Sequence, residues 1–491
     1  MDRRSGARLL LSGLAVAAVV GLALAARPRA TSEPKLSPLP AISVPPLAPR
    51  DLFVSPAGHD GGAGSVSDPF ATIQAAVDRV APGNTVWLEP GSYAGFSVRR
   101  SGTPGQPITV AARRPGTAIV RAPGRESTVD LTGASGVDLI NLVVEGPGAG
   151  AHDAIRLDHS AEITIEGCIV RESVGGFGVE VRFSANVKIR GNDILHNAIG
   201  IRLYGEGDPG SVHDVLIERN QIHDSDSMIV NDTAPNNDYG ANGIVWHKVT
   251  GPTIARDNQV WANQAPSHDY GHDGGAFEIW GSSNAEIVGN VAWDNVNVLE
   301  TGSDGPECEN ISFRRNVVYA VNFGVGLILR CARDGLIANN VFDHLRSYAF
   351  ELSDRSGGNE FATSIDGLRI VNNVVVGSLV YSIRNALPAS VVLDYNLLPQ
   401  RRAIATFPRG VPASPTIAAF TRATGQESHS IAADPGFMNA ALHDYRILPG
   451  SPAIDRGTTL TPGEAFLGTA PDIGVYEGAA VLPSPSPVGG G

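Results

Sequence analysis

Ile189-Arg190-Gly191-Asn192-Asp193-Ile194 and Ile217-Glu218-Arg219-Asn220-Gln221-Ile222 carry the pattern from which the rest of the chain is read. An apolar residue is followed three positions later by Asn, and two further on by a second apolar residue. The pattern returns at Ile287/Asn290/Ala292, Phe313/Asn316/Val318, Ile337/Asn340/Phe342 and Ile370/Asn373/Val375. Variants stand at Ile254 with Asp257-Asn258, and after Ile165, where Cys168 takes the Asn place. The shortest spacings are 24 to 28 residues, room for three short strands and three turns, which is one coil of a parallel β-helix. Asn stacked at one turn can hydrogen-bond along the ladder, so the repeat has a structural reason without any catalytic one. The spacing grows to 38 from Asn220 to Asn258, 32 from Asn258 to Asn290 and 33 from Asn340 to Asn373. Loops are therefore inserted in those coils, among them 225–242 and 265–275, where solenoids build the walls of a binding face.

Upstream of the repeat, Phe53-Val54-Ser55-Pro56 reads as a strand. Ile73, Ala76, Val77 and Val80 then share one helical face before Pro82-Gly83 and a second strand, Thr85-Val86-Trp87-Leu88. That helix suits an N-terminal cap. The periodic region is assigned to 51–410, in about ten coils, an irregular C-terminal capping segment to 411–480 and a disordered tail to 481–491. At the start, Arg3, Arg4 and Arg8 precede an uncharged run over 9–26 containing Ala23-Leu24-Ala25. This reads as a signal peptide, with 9–26 as an uncleaved membrane anchor the alternative, and a Pro-rich linker covers 27–50. The expected location is secreted or cell-surface anchored. Of three cysteines, Cys308 and Cys331 lie 23 residues apart, about one coil, which fits either a bridge between adjacent turns or two buried thiols. The net charge of −13 argues against a nucleic-acid partner, and it would repel an anionic polysaccharide unless a cation bridged the two.

Acids, histidines and a tryptophan concentrate between Asn220 and Gly302. In Phe277-Glu278-Ile279-Trp280, period-2 alternation turns Phe277 and Ile279 inward and Glu278 and Trp280 outward. Glu300, in Asn297-Val298-Leu299-Glu300-Thr301-Gly302, follows Leu299 with the same parity. The two glutamates are then neighbours on adjacent coils, about 4.8 Å apart. Carboxylates that close cannot both ionise freely, so one becomes an acid and the other stays anionic, the division a retaining glycosidase uses. Asp273 is held in reserve as the second carboxylate, and Trp280, His247, Lys248, His272 and Arg330 are read as substrate contacts. An adjacent glutamate pair is also found in solvated charge ladders, since Arg156, Glu180, Arg202 and Glu351 show the same parity.

The opening Phe53-Val54-Ser55-Pro56 with Asp68-Pro69-Phe70-Ala71-Thr72-Ile73, the Asn repeat, and Pro449-Gly450-Ser451-Pro452-Ala453-Ile454-Asp455 resemble exported bacterial proteins of the pectin-lyase-like superfamily over about residues 51–477. The resemblance implies an all-β fold, a single right-handed parallel β-helix, and a carbohydrate context. A narrower one is to family-nine pectate lyases. Phe277-Glu278-Ile279-Trp280 beside Asp273-Gly274-Gly275 resembles their calcium strand, and Asn297–Gly302 resembles the motif that carries their lysine base, with Glu300 in the lysine's place. The main reading is thus a polysaccharide hydrolase, acting as a monomer and needing no cofactor. The first alternative is a β-eliminating lyase with Lys248 as base and Ca²⁺ held by Asp273, Glu278, Glu300 or Asp304. The second is a glycan-binding or surface protein without catalysis.

Overall fold

A computed structural model describes residues 38–478, apart from 41, 43, 44, 149, 151, 209, 322, 323, 358, 409 and 410. The signal or anchor segment 1–26, most of the linker 27–50 and the tail 481–491 lie outside the described residues. No helix among the described residues is long and apolar enough to cross a membrane.

Each coil contributes one strand to each of three parallel sheets, in the chain order first, second, third. Among the described residues the first sheet has 13 strands, from Leu52–Val54 to Val392–Asp394. The second has 13, from Gly91–Ala94 to Ile431–Ala432, and the third 12, from Phe96–Ser97 to Ala405–Thr406. The coils thus outnumber the ten expected. Those ahead of Cys168 carry no Asn at the ladder position, and the second sheet continues past residue 410 because Ser430 takes the Asn place, its Oγ accepting from Asn396 N at 2.8 Å.

Alternation supplies the core. In the first sheet Ile165, Ile189, Ile217, Ala255, Ile287, Phe313, Ile337 and Ile370 stand in register and are buried. Stacking identical positions buries a continuous apolar column that no single coil could form alone. The five-residue helix Ile73–Val77, capped by the Thr72 side chain, packs its buried face on the first coils.

The Asn ladder runs where the first sheet turns into the second. Asn192, Asn220, Asn258, Asn290, Asn316, Asn340, Asn373 and Asn396 are all buried. Each offers its side-chain oxygen to the backbone N–H of its counterpart one coil earlier, at 2.8–3.1 Å. Its Nδ2 donates back to a main-chain carbonyl, as Asn290 does to Ala255 O at 3.0 Å. A second, shorter ladder stands at the turn from second to third sheet, where Asn263 Oδ1 accepts from Ser225 N and Asn295 Oδ1 from Asn263 N, both at 3.1 Å. Cys308 and Cys331 form a disulfide with Cα atoms 5.1 Å apart, so the bridge, and not the pair of free thiols, is the outcome of their one-coil spacing.

At the start of the C-terminal segment the helix Ile417–Thr424 puts Phe420 into the solenoid core against Tyr381, and from Phe437 onward the segment lies along the side of the second sheet. Its Tyr445 and Ile447 join Trp293, Tyr319, Val341 and Val374 in one apolar cluster, and Tyr445 Oη donates to Asp343 Oδ2 at 2.9 Å.

Candidate active site

The third sheet presents two outward columns. One runs Arg202, Val245, Glu278, Glu300, Ile328, Glu351, and the other Tyr204, His247, Trp280, Gly302. Phe277 and Ile279 are buried in the core behind them, so the parity read from the sequence places Glu278 directly opposite Glu300 on adjacent strands. The walls come from the inserted loops. The antiparallel hairpins Met228–Val230/Tyr239–Gly240 and Ala265–Ser267/Gly271–Asp273 rise on one side, the second of them springing from just beyond the ladder residue Asn263. The segment around Asn359, Glu360 and Phe361 rises on the other. Between them is a cleft of about 900 Å³ lined by Glu278, Glu300, Asp273, Trp280, His247, His272 and Arg330, and also by Arg202, Tyr239 and Asn242.

Glu278 and Glu300 have unlike partners. Asn242 Nδ2 donates to Glu278 Oε2 at 2.6 Å, whereas Arg330 Nη1 donates to Glu300 Oε1 at 2.8 Å and a second Arg330 nitrogen stands 3.7 Å from Glu351. Burial beside Val245 and under the hairpin walls, with the negative charges of Glu300 and Asp273 added, pushes Glu278 up to about 8. Burial raises Glu300 too, but the Arg330 guanidinium opposes that rise. Asp273 is pushed up to about 7, by burial first and then by Glu300, while the Gly274 N–H pulls the other way. Near neutrality Glu278 therefore carries a proton, and Glu300 is the member of the pair with a cation against it. His247 is pushed down to about 4 by burial and by Arg202 and Lys248, so its ring is neutral there.

This arrangement has a stability consequence. Folding lifts Glu278 from 4.5 to about 8, so the folded chain keeps a proton that the unfolded chain has released. Stability contributed at low pH is lost as pH rises from about 4.5 to about 8. Glu278→Gln cannot ionise, so it is expected to melt above the wild type at about pH 9 and close to it at about pH 5, a difference on the order of a few kcal/mol. Parallel melting curves across that range would show that Glu278 is not held protonated.

Trp280 is less open than a stacking platform would be. Its ring fills the space over Gly302, where a Cβ would come within 2.7 Å of it, and Phe361 stands 5.1 Å away at 59°. It lines the cleft between Gly302 and Phe361. Two expected residues lie elsewhere. Lys248 follows its strand in a left-handed turn (φ 54°) that swings it away from the cleft lining, and it pairs with Asp304 at 3.4 Å. Asp304 is accordingly not gathered with Asp273, Glu278 and Glu300. Ca²⁺ needs six to eight oxygen ligands, but here one carboxylate already holds a guanidinium. Among the described residues no three His, Cys, Asp or Glu side chains are grouped to hold a metal. As folded, these residues do not fit the ion.

Arg202, Tyr239 and Asn242 were not among the expected site residues. Arg202 shares the parity of the glutamates, which is a usable signal. Tyr239 sits in an insertion with no period to place it, and Asn242 stands where that insertion rejoins the third sheet, as the first residue of the strand Asn242–His247.

A family model described as the right handed beta helix region matches residues 127–292. A pectate lyase, PEL9 of Emericella nidulans, is 32% identical over 94 residues, which is 18% of this chain and 23% of that protein. The uncharacterized protein YwoF of Bacillus subtilis is 24% identical over 449 residues, 82% of this chain and 92% of that one. The crystal structure of pectate lyase Pel9A superposes with a TM-score of 0.51 at 16% identity, covering 87% of this chain and 96% of that chain. Three continuous parallel ladders, the matching model and this shared backbone make the chain a right-handed parallel β-helix protein with the pectin-lyase-like fold.

Proposed function

We propose that this chain is an exported carbohydrate-active enzyme that hydrolyses glycosidic bonds as a monomer, with Glu278 as general acid and Glu300 as nucleophile. The supporting observation is the in-register carboxylate pair with unlike partners, Asn242 on Glu278 and Arg330 on Glu300. Side chains in register on adjacent parallel strands stand about 4.8 Å apart, close to the spacing of a retaining pair. Glu278 protonates the departing glycosidic oxygen while Glu300 attacks the anomeric carbon. The Glu278 carboxylate then takes a proton from the water that releases the sugar from Glu300. Asp273 is the third carboxylate, and Trp280, His247 and His272 contact the sugar.

A second reading, β-elimination, is favoured by the 94-residue likeness to a pectate lyase. It needs a base beside a uronate and a cation to hold the developing charge, and Arg330 is the basic group nearest the pair. Digestion of a panel of neutral and acidic polysaccharides, with and without chelator, separates the two readings. New reducing ends without ultraviolet absorbance, insensitive to chelator, support hydrolysis; absorbance of a new C=C bond that chelator abolishes would replace it with elimination. Bound glycan with no turnover would leave a binding protein.

Arg330 has its own expected signature. Arg330→Gln removes the charge that opposes protonation of Glu300, so the acidic limb of the kcat/KM profile should move to higher pH. A limb that stays in place would detach Glu300 from the nucleophile role.

A further inference from the structure

We infer that the cleft is roofed, and that substrate reaches Glu278 and Glu300 by a free chain terminus and not through the interior of a long polymer. The nature of the guest rests on the hydrolase reading above; the shape of the entry rests on chain topology alone. All strands of the third sheet run parallel, so their N-terminal ends form one edge and their C-terminal ends the other. At six residues a strand, the edges are about 20 Å apart. The hairpin Met228–Val230/Tyr239–Gly240 leads directly into the N-terminal end of the strand Asn242–His247. Residues 353–357 and 359–364 follow the C-terminal end of the strand Tyr348–Leu352, four strand steps along the sheet. These two insertions start at opposite edges, yet Asn236 Nδ2 donates to Glu360 Oε1 at 3.0 Å. Core side chains such as Phe277 and Leu299 fill the inside of the solenoid, so the junction passes over the outer face. Of the three strands beneath it, Gly275–Trp280, Asn297–Gly302 and Leu327–Leu329, the first two carry the two glutamates.

Each half of the roof is braced. Asp238 accepts from Ser267 Oγ at 2.6 Å and from Asp269 N at 2.8 Å, and Asp269 accepts from Asn237 N at 3.0 Å, which ties the two hairpins together. Opposite, Phe361 O accepts from Ser303 N at 3.0 Å and Arg355 pairs with Glu307 at 2.7 Å. Both halves contribute to the cleft lining. A groove that receives the middle of a polymer must be open along its whole length, whereas a spanned one admits an end.

Cysteines at the two positions, Asn236→Cys with Glu360→Cys, test the roof without any activity. A short bis-maleimide should join the peptides that carry them in the folded protein, because Cys168 is buried and Cys308 is bridged to Cys331. Failure to recover the joined peptide overturns the roof. With whichever polysaccharide of the panel is cleaved, the wild type should release short products at nearly constant viscosity. Asn236→Ala with Glu360→Ala should then raise viscosity loss per new reducing end by up to about tenfold, the population change that one lost hydrogen bond permits. A wild type that collapses viscosity at few new ends overturns entry by a chain terminus. Joined peptides without turnover on any substrate would overturn that entry together with the reading it rests on, and the roof itself would stand.

Discussion

Glu300→Gln is expected to lower kcat by roughly 10³-fold or more, with little change in melting temperature. The amide keeps the shape of the carboxyl and still accepts from Arg330 Nη1, so the register of the two strands survives. It offers no anionic oxygen to attack the anomeric carbon, and its NH₂ group stands near a guanidinium that it cannot neutralise. Glu278→Gln should also be slow, but unequally so on different leaving groups, because a sugar that departs easily does not need the proton. Steady-state rates on an activated and a natural glycoside, beside melting curves for both variants, separate the roles. Equal losses on both substrates at Glu278, with full activity at Glu300→Gln, would exchange or remove the assignment.

Asn290→Ala is expected to cost about 3–5 kcal/mol, as much as truncating a large core side chain. Asn290 Oδ1 receives both Asn258 N and Asn258 Nδ2 at 2.9 Å. Its Nδ2 donates to Ala255 O, Val288 O and Asn316 Oδ1 at 3.0–3.2 Å. Truncation takes the acceptor from the buried Asn258 N and one bond each from Asn258 Nδ2, Ala255 O, Val288 O and Asn316 Oδ1, and an orphaned buried donor or acceptor loses its full hydration. Denaturant unfolding measures the loss. A cost near 1 kcal/mol would mean that water enters the turn and replaces the amide.

Much of this was legible in the chain because a solenoid writes its geometry into periods. The Asn spacing fixes coil length, and alternation fixes which side of a strand faces out, so Phe277, Glu278 and Trp280 could be placed without coordinates. Arg330 was readable as a site residue by its coil position, though its partner Glu300 makes it an electrostatic support more than a substrate contact. Lys248 was misplaced because it stands one residue beyond the end of its strand, where a left-handed turn cancels the parity rule. The walls were legible only as insertions. Asn236 and Glu360 are 124 residues apart, and neither belongs to a repeat, so no spacing links them.

The side-docked C-terminal segment bears on the order in which the molecule assembles. Its seat is composed of Trp293, Tyr319, Val341, Val374 and Leu397, which come from five successive coils. Asn339 and Asn372 add clasps, donating to Gly474 O and Thr458 O at 3.1 and 2.8 Å. None of these surfaces exists until the coils have stacked. A chain emerging N-terminus first can build its ladders one coil at a time, each on the template of the last. The segment from Phe437 onward has no such template and must wait for the finished flank. Its docking needs those coils already stacked, and it covers an apolar stripe that would otherwise invite self-association.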